Sequence, residues 1–272
     1  MSRIGLAFAA LQARGEAALV PFFTAGDPDL ATTRDLVRAA VDAGAHAVEL
    51  GVPFSDPMAD GPVLQRAAAR ALTGATSLPR VLELVADLRQ EVTQPIVLFG
   101  YYNPFFRYGL DRIATDAAAA GADGVLCVDL PPEEAGDLRT AMRATGLDLI
   151  ALVAPTTPIA RVRTIARTAS GFLYFVSVLG TTGARAALPA ELPELIARAR
   201  RVTRLPLGVG FGVSTPEQAA WIAGFADAVI VGSAIGRLVE EGDTRGAPAR
   251  VAAFVGAMRT AMHAARRPCV GG

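Results

Sequence analysis

Three carboxylates fall within one short stretch, A-V-E-L-G-V-P-F-S-D-P-M-A-D-G-P, running from Ala47 to Pro62. Glu49 sits in an apolar run that breaks at Gly51 and Pro53; Asp56 and Asp60 follow on a loop stiffened by proline and closed by Gly61. A carboxyl set between Val48 and Leu50 is expensive to bury unless it is paired or neutralised. Groups placed in that way carry shifted proton affinities and are candidates for proton transfer. A strand-borne Glu beside a loop-borne Asp provides two unlike environments, the condition under which one carboxyl donates a proton while the other stays ionised.

Composition narrows the chemistry open to this pair. All 26 basic residues counted as Lys plus Arg are arginines, so a Schiff-base lysine is excluded. The two histidines, His46 and His263, lie far apart and make no zinc site of the two- or three-histidine type. Zero formal net charge with no basic block leaves no electrostatic footprint for nucleic acid. The two cysteines, Cys127 and Cys269, form no disulfide framework and point to a reducing compartment, the cytoplasm. Ile4, Phe8 and Leu11 fall at helical spacing, with Gln12, Arg14 and Glu16 close behind. That pattern predicts an amphipathic first helix and not a secretion signal. The apolar stretch from Ala219 to Val239 is interrupted by Asp227 and several glycines and predicts no membrane span.

The elements that must position the carboxylates are short runs of aliphatic and β-branched residues separated by helical patterns. Strands are predicted at Ala18–Phe23, Ala47–Leu50, Ile96–Phe99, Gly124–Val128, Leu149–Val153, Phe172–Val176, Leu207–Val209 and Ala228–Val231. Helices are predicted over Leu30–Ala43, Pro62–Leu72, Ser77–Glu91, Leu110–Ala120, Glu133–Ala144, Ile159–Thr168, Ala190–Val202 and Pro248–Ala265. A weak echo, A-G-A-H-A-V-E-L at 43–50, A-G-A-D-G-V-L-C at 120–127 and G-F-A-D-A-V-I-V at 224–231, marks repeated helix–turn–strand units. Strands alternating with helices imply parallel pairing, and a chain of 272 residues at 52% hydrophobic content suits one closed barrel. The predicted fold is therefore α/β: a single (β/α)8 TIM barrel over residues 1–272 with an extra N-terminal helix. Catalytic groups in such barrels sit at the C-terminal ends of the strands. With Val48 and Leu50 facing the helices, Glu49 faces the barrel mouth. His46, before that strand, belongs at the opposite end and reads as structural.

The last three strands run into glycine turns: Gly180-Thr181-Thr182-Gly183, Gly210-Phe211-Gly212 and Gly232-Ser233. Glycine lets backbone N–H groups approach an anion, and a helix N-terminus favours negative charge. Barrel enzymes hold phosphate at this corner, so a phosphate site is expected there with Ser233 as a helix N-cap. The Gly-, Ala- and Thr-rich run 180–192 reads as a lid carrying Arg185.

P-F-F-T-A-G-D-P (21–28), the 49–62 stretch, Y-Y-N-P (101–104), T-T-G (181–183), G-F-G-V-S (210–214) and V-G-S-A-I (231–235) together resemble the tryptophan synthase alpha subunit family, in one order over nearly the whole chain. The resemblance implies retro-aldol cleavage of indole-3-glycerol phosphate to indole and glyceraldehyde 3-phosphate, with no cofactor in this subunit. By motif, Glu49 becomes the catalytic acid and base and Asp60 the carboxylate beside the indole nitrogen. Phe22 and Phe99 border the indole and Tyr174 the glycerol moiety, while Thr182, Gly183, Gly212, Gly232 and Ser233 belong to the lid and phosphate region. The implied partner is the beta subunit, holding pyridoxal phosphate, in an alpha2beta2 heterotetramer docked over the barrel mouth. The strand-six loop departs from the family's usual G-V-T-G, reading G-T-T-G behind Leu179, which bears on lid timing and not on the chemistry.

Carbon–carbon cleavage needs an electron acceptor, and without a lysine imine or a metal an indole protonated at C3 can serve. Other readings are a sugar-phosphate epimerase or isomerase on the same barrel, a free-standing lyase releasing indole, and an inactive homologue that only regulates a beta subunit. Indole-glycerol-phosphate synthase chemistry is disfavoured by the missing lysine. Retention of Glu49 and Asp60 argues against the inactive homologue.

Overall fold

Eight parallel strands close on themselves in sequence order, the first pairing with both the second and the last. The computed structural model describes residues 1–176 and 188–265. The strands are β1 (Ala18–Thr24), β2 (Val48–Gly51), β3 (Ile96–Gly100), β4 (Gly124–Cys127), β5 (Asp148–Val153), β6 (Leu173–Val176), β7 (Leu207–Gly210) and β8 (Ala228–Val231). Around them run α1 (Arg3–Ala13), α2 (Leu30–Asp42), α3 (Pro62–Thr73), α4 (Leu78–Arg89), α5 (Tyr102–Tyr108) and α6 (Leu110–Ala120). The second half carries α7 (Gly136–Thr145), α8 (Ile159–Thr168), α9 (Leu192–Arg200), α10 (Pro216–Ala223), α11 (Ser233–Glu240) and α12 (Ala247–Ala264). The (β/α)8 expectation holds, and every predicted strand is found, its ends within about two residues, the usual scatter of element boundaries.

Alternation along the strands divides the apolar residues into two bodies. Leu19, Phe23, Val48, Leu50, Ile96 and Leu98 point outward into the layer shared with the helices. Ala18, Val20, Phe22, Ala47, Val97, Phe99, Leu126 and Ile150 fill the barrel interior. The first helix belongs to the second body: Ile4, Phe8 and Leu11 are buried with the interior residues, and the Phe8 and Phe172 rings lie 5.5 Å apart. Gly124 makes room for this plug, because a Cβ there would stand 2.8 Å from Ile150 Cδ1 and 3.1 Å from Ile4 Cδ1. Polar contacts fix the same end. The Ser2 hydroxyl caps α1 by accepting from Gly5 N–H at 3.1 Å and donates to Asp148 at 2.5 Å. Asp123 pairs with Arg3 and Arg89 and accepts the Ile96 N–H at 2.7 Å. Each of the three buried apolar side chains of α1 contributes roughly 1.5–3 kcal/mol, more than the half-exposed Arg3 adds through its ion pair.

Three helices differ from the sequence expectation, one of them α10, which was not predicted and starts behind Thr215 with Pro216 in its first turn. α5 forms over Tyr102–Tyr108, where no helix was predicted: Pro104 falls in the first turn, where its missing N–H is harmless, and the Asp129 carboxylate accepts Tyr102 N–H at 2.7 Å from the next loop. The helix expected from Glu133 starts at Gly136, after a turn in which Glu134 N–H bonds Pro131 O at 3.0 Å. Among the described residues no helix is long and apolar enough to cross a membrane.

Candidate active site

Glu49 sits in the middle of β2, its Cα in register with Phe22 on β1 and Val97 on β3. Both register partners and Ala47 belong to the interior, so the Glu49 side chain points into the barrel. It is fully buried, and neither carboxyl oxygen has a hydrogen-bond partner among the described residues. Removal from water pushes its pKa up to about 8. At neutral pH the group is therefore a carboxylic acid with a proton to give.

Asp60 lies on the loop between β2 and α3. Burial pushes its pKa up to about 6, while a hydrogen bond from the Tyr101 hydroxyl pulls it down. Tyr101 also accepts the Ala59 N–H at 3.0 Å, and its ring lies 5.3 Å from that of Phe54, so one buried phenol grips the acidic loop at three points. The loop is braced again where Gln65 donates to the Asp60 carbonyl at 2.9 Å. Asp56 is exposed and accepts the Ser55 hydroxyl at 2.6 Å, away from the interior.

Aromatic residues complete the walls. Phe22 and Phe99 meet edge to face at 5.1 Å and line one slot together with Asp60 and Tyr101. Tyr174 is buried; burial first, then the charges of Glu49 and Asp60, hold its hydroxyl well above the ordinary range, which places it within the field of both carboxyls. Gly210 must remain a glycine here, since a Cβ would lie 2.1 Å from the Tyr174 hydroxyl. Phe211 packs edge to face on Tyr174 at 5.7 Å with φ of 68°, a left-handed conformation that a non-glycine residue adopts at a cost of order 1–3 kcal/mol.

The structure thus brings Glu49, Asp60, Phe22, Phe99 and Tyr174 to one end of the barrel. Gly212, at φ 81°, and Gly232 lie at the ends of the neighbouring strands β7 and β8. The anion corner differs in two respects from expectation. Ser233 is the first residue of α11 and not its N-cap; Gly232 takes that position without any side-chain hydrogen bond. The turn after β7 leads into a helix that caps itself, Thr215 accepting from Gln218 N–H at 3.3 Å and Gln218 Oε1 accepting from Thr215 N–H at 3.2 Å. Of the described turns, the one after β8 is therefore the better donor of backbone amides. Thr182, Gly183, Arg185 and residues 180–187 of the lid expected at 180–192 lie outside the described residues, as does Cys269; the last residue of that run, Leu192, begins α9. His46 is structural, as expected: Nδ1 accepts Leu19 N–H at 3.0 Å, and burial lowers its pKa to about 4, keeping it neutral.

Sequence reasoning missed Tyr101 and Phe211 as site residues. Tyr101 could have been found from its place directly after a strand, in the motif facing the acidic loop; Phe211 stood between two glycines, the mark of a backbone held in an unusual conformation. Leu126, Val128 and Leu152, also of the interior body, carried no signal beyond ordinary core. Among the described residues no His, Cys, Asp or Glu side chains gather in threes that could hold a metal ion.

A closed eight-stranded parallel barrel with a buried glutamic acid and a nearby aspartate among aromatic walls is the architecture of a barrel enzyme. The chain belongs to the tryptophan synthase alpha chain family, whose profile matches residues 8–263. It is 56% identical over 241 residues to the tryptophan synthase alpha chain of a Geobacter species, covering 89% of this chain and 90% of that one. Its identity to the Geobacter sulfurreducens alpha chain is 51% over 262 residues, covering 96% and 99%. Among solved structures it is similar to tryptophan synthase subunit alpha from Legionella pneumophila, with TM-score 0.88 and 40% identity over 97% of this chain and 99% of that one. Tryptophan synthase from Mycobacterium tuberculosis superposes with TM-score 0.89 at 37% identity, covering 98% and 99%.

Proposed function

We propose that this chain, as a lyase of tryptophan synthesis, cleaves indole-3-glycerol phosphate to indole and glyceraldehyde 3-phosphate with Glu49 and Asp60 as its working carboxyls. Family membership carries the reaction; the observation that supports the roles is the separation of the two proton affinities, about 8 for Glu49 and about 6 for Asp60. At pH 7 the first is an acid and the second mostly an anion. Glu49 gives its proton to C3 of the indole ring, producing an iminium beside the glycerol side chain. The Glu49 carboxylate then takes the hydroxyl proton as the side-chain bond breaks, the bonding pair returns to the ring, and the aldehyde leaves. Glu49 ends as it began. Asp60 stabilises positive charge at the ring nitrogen, held at its station by Tyr101. Phe22 and Phe99 border the indole, Tyr174 and Phe211 the glycerol portion, and the phosphate lies against the α11 N-terminus and the Gly212 backbone.

No lysine exists in the chain to hold pyridoxal phosphate as an imine, which fits a division of labour in which a beta subunit carries that cofactor. Met58, 85% exposed, and Phe106, 60% exposed, stand on the loop and helix at the mouth and suit an apolar partner surface there. We place the beta subunit on that face, in an alpha2beta2 assembly, and the chain in the cytoplasm. The test is an indole-release assay on purified protein with and without a beta subunit. Glu49→Gln is expected to fold and to lose turnover by roughly 10²–10⁴-fold, the range of one acid–base group. Near-wild-type turnover removes Glu49 from the mechanism. Full activity without any complex forming favours the free-standing lyase over the assembly.

A further inference from the structure

The acidic loop and the turn after β8 feed two helices that lie against each other. α3 begins at Pro62, two residues past Asp60, and α11 begins at Ser233. Near the mouth their contact is close: a Cβ on Gly236 would stand 3.0 Å from Val63 Cγ1 and 3.4 Å from Leu64 Cδ2. At the far end Glu240 closes α11 and receives a two-pronged fork from Arg66 of α3, both bonds 2.7 Å, and a third bond from Arg70 at 3.0 Å. Arg70 in turn forks onto Asp27 at 2.7 and 2.9 Å, in the loop after β1. Asp27 is buried, its side chain 4% exposed, so breaking its pair with Arg70 would be costly. An isolated exposed ion pair would hold little. A shared carboxylate between two arginines, one of them anchored on a buried partner, is a linked network.

None of these groups enters the chemistry described above. We propose that Arg70, Glu240 and Gly236 are positioning residues that make α3 and α11 one rigid body, so that phosphate seated on the first turn of α11 determines where Asp60 stands. The inference rests on the lyase reading and its phosphate site. A shift of α11 alone would open the Gly236 contact and strip Glu240 of its arginines; α3 therefore follows, and Asp60, tied through its carbonyl to Gln65 of α3, follows with it. The phosphate of the substrate then contributes to turnover and not to affinity alone.

The experiment uses the full chain and two variants that leave the Arg70–Asp27 pair intact, Glu240→Gln and Gly236→Ala. Arg70→Met, which strands a buried carboxylate, is avoided because it endangers folding. Amide hydrogen exchange of residues 54–61 is followed with and without saturating glycerol 3-phosphate, beside kcat, KM and the ligand's dissociation constant. In the wild-type chain the ligand is expected to slow exchange at Ala59 and Asp60. In both variants that slowing is expected to fall by half or more, with the ligand's dissociation constant and KM changed less than about threefold and kcat lowered roughly tenfold, short of the ~100-fold of a full misplacement. Wild-type slowing and wild-type kcat in both variants overturn the inference and leave the lyase reading standing. A wild-type chain that binds no glycerol 3-phosphate overturns the phosphate site itself, and the inference with it.

Discussion

Glu49 links activity to stability in a way that can be measured. Its pKa is about 8 in the folded chain against an ordinary 4.5, so the folded state binds the proton more tightly than the unfolded one. Stability from this group is fully present below pH 4.5 and is lost as pH rises towards 8. At about 1.4 kcal/mol per unit the loss is of order 3 kcal/mol at pH 7. Glu49→Gln is therefore expected to be more stable than the wild-type chain at pH 8 and equal to it near pH 4.5, as read by denaturant melts across pH. The same two proton affinities, those of the ligand-free chain, predict a bell-shaped kcat/KM, falling below pH 6 as Asp60 protonates and above pH 8 as Glu49 ionises. Tyr101→Phe removes the hydrogen bond that lowers the Asp60 pKa, so the acid limb of that profile is expected to move to higher pH. A limb that stays in place would show that Tyr101 holds the loop without tuning the carboxyl.

At the scale of elements, the proposed anion site relies on backbone, and side-chain loss is expected to matter less than added bulk. Ser233→Ala, at the first residue of α11, is expected to cost about 0.5–1.5 kcal/mol of phosphate affinity, the worth of one hydrogen bond. Gly212→Val places a branched side chain at φ 81° and is expected to be worse, with Ser233→Asp also below alanine by charge repulsion, all by calorimetry with glycerol 3-phosphate. The strands were legible in the sequence because parallel strands buried on both faces are continuous apolar runs cut by glycine turns. Glu49 was legible because a carboxyl in such a run breaks the pattern. α5 was not, since its N-terminal N–H is satisfied by Asp129, which lies 27 residues further along. The roles of Tyr101 and Phe211 were hidden for the same reason: a grip on Ala59 and a left-handed backbone are tertiary facts with no local periodicity. Ser233 illustrates the converse, a residue type favoured at N-caps that stands one position inside the helix.

Over the whole molecule the barrel has unlike ends. The mouth carries exposed Met58 and Phe106, Asp56 and the working carboxyls; the base is filled by α1. Phe8→Ala is expected to destabilise the chain by about 3–5 kcal/mol, the cost of a large truncation in a packed core, while leaving KM nearly unchanged, as thermal melts and kinetics would show. Substituting Asp56 is expected to weaken activation by a beta subunit more than cleavage by the chain alone, measured by titration of the partner into the assay. The plugged base also imposes an order of events. With Ile4, Phe8 and Leu11 filling the strands' far end, the proposed substrate and both products are expected to enter and leave the unpartnered chain by the mouth. A molecule sitting in that doorway traps whatever lies beneath it, so the two products must leave in sequence, the outer one first. Product inhibition by indole and by glyceraldehyde 3-phosphate should then be of different types, competitive for the last to leave and noncompetitive for the first.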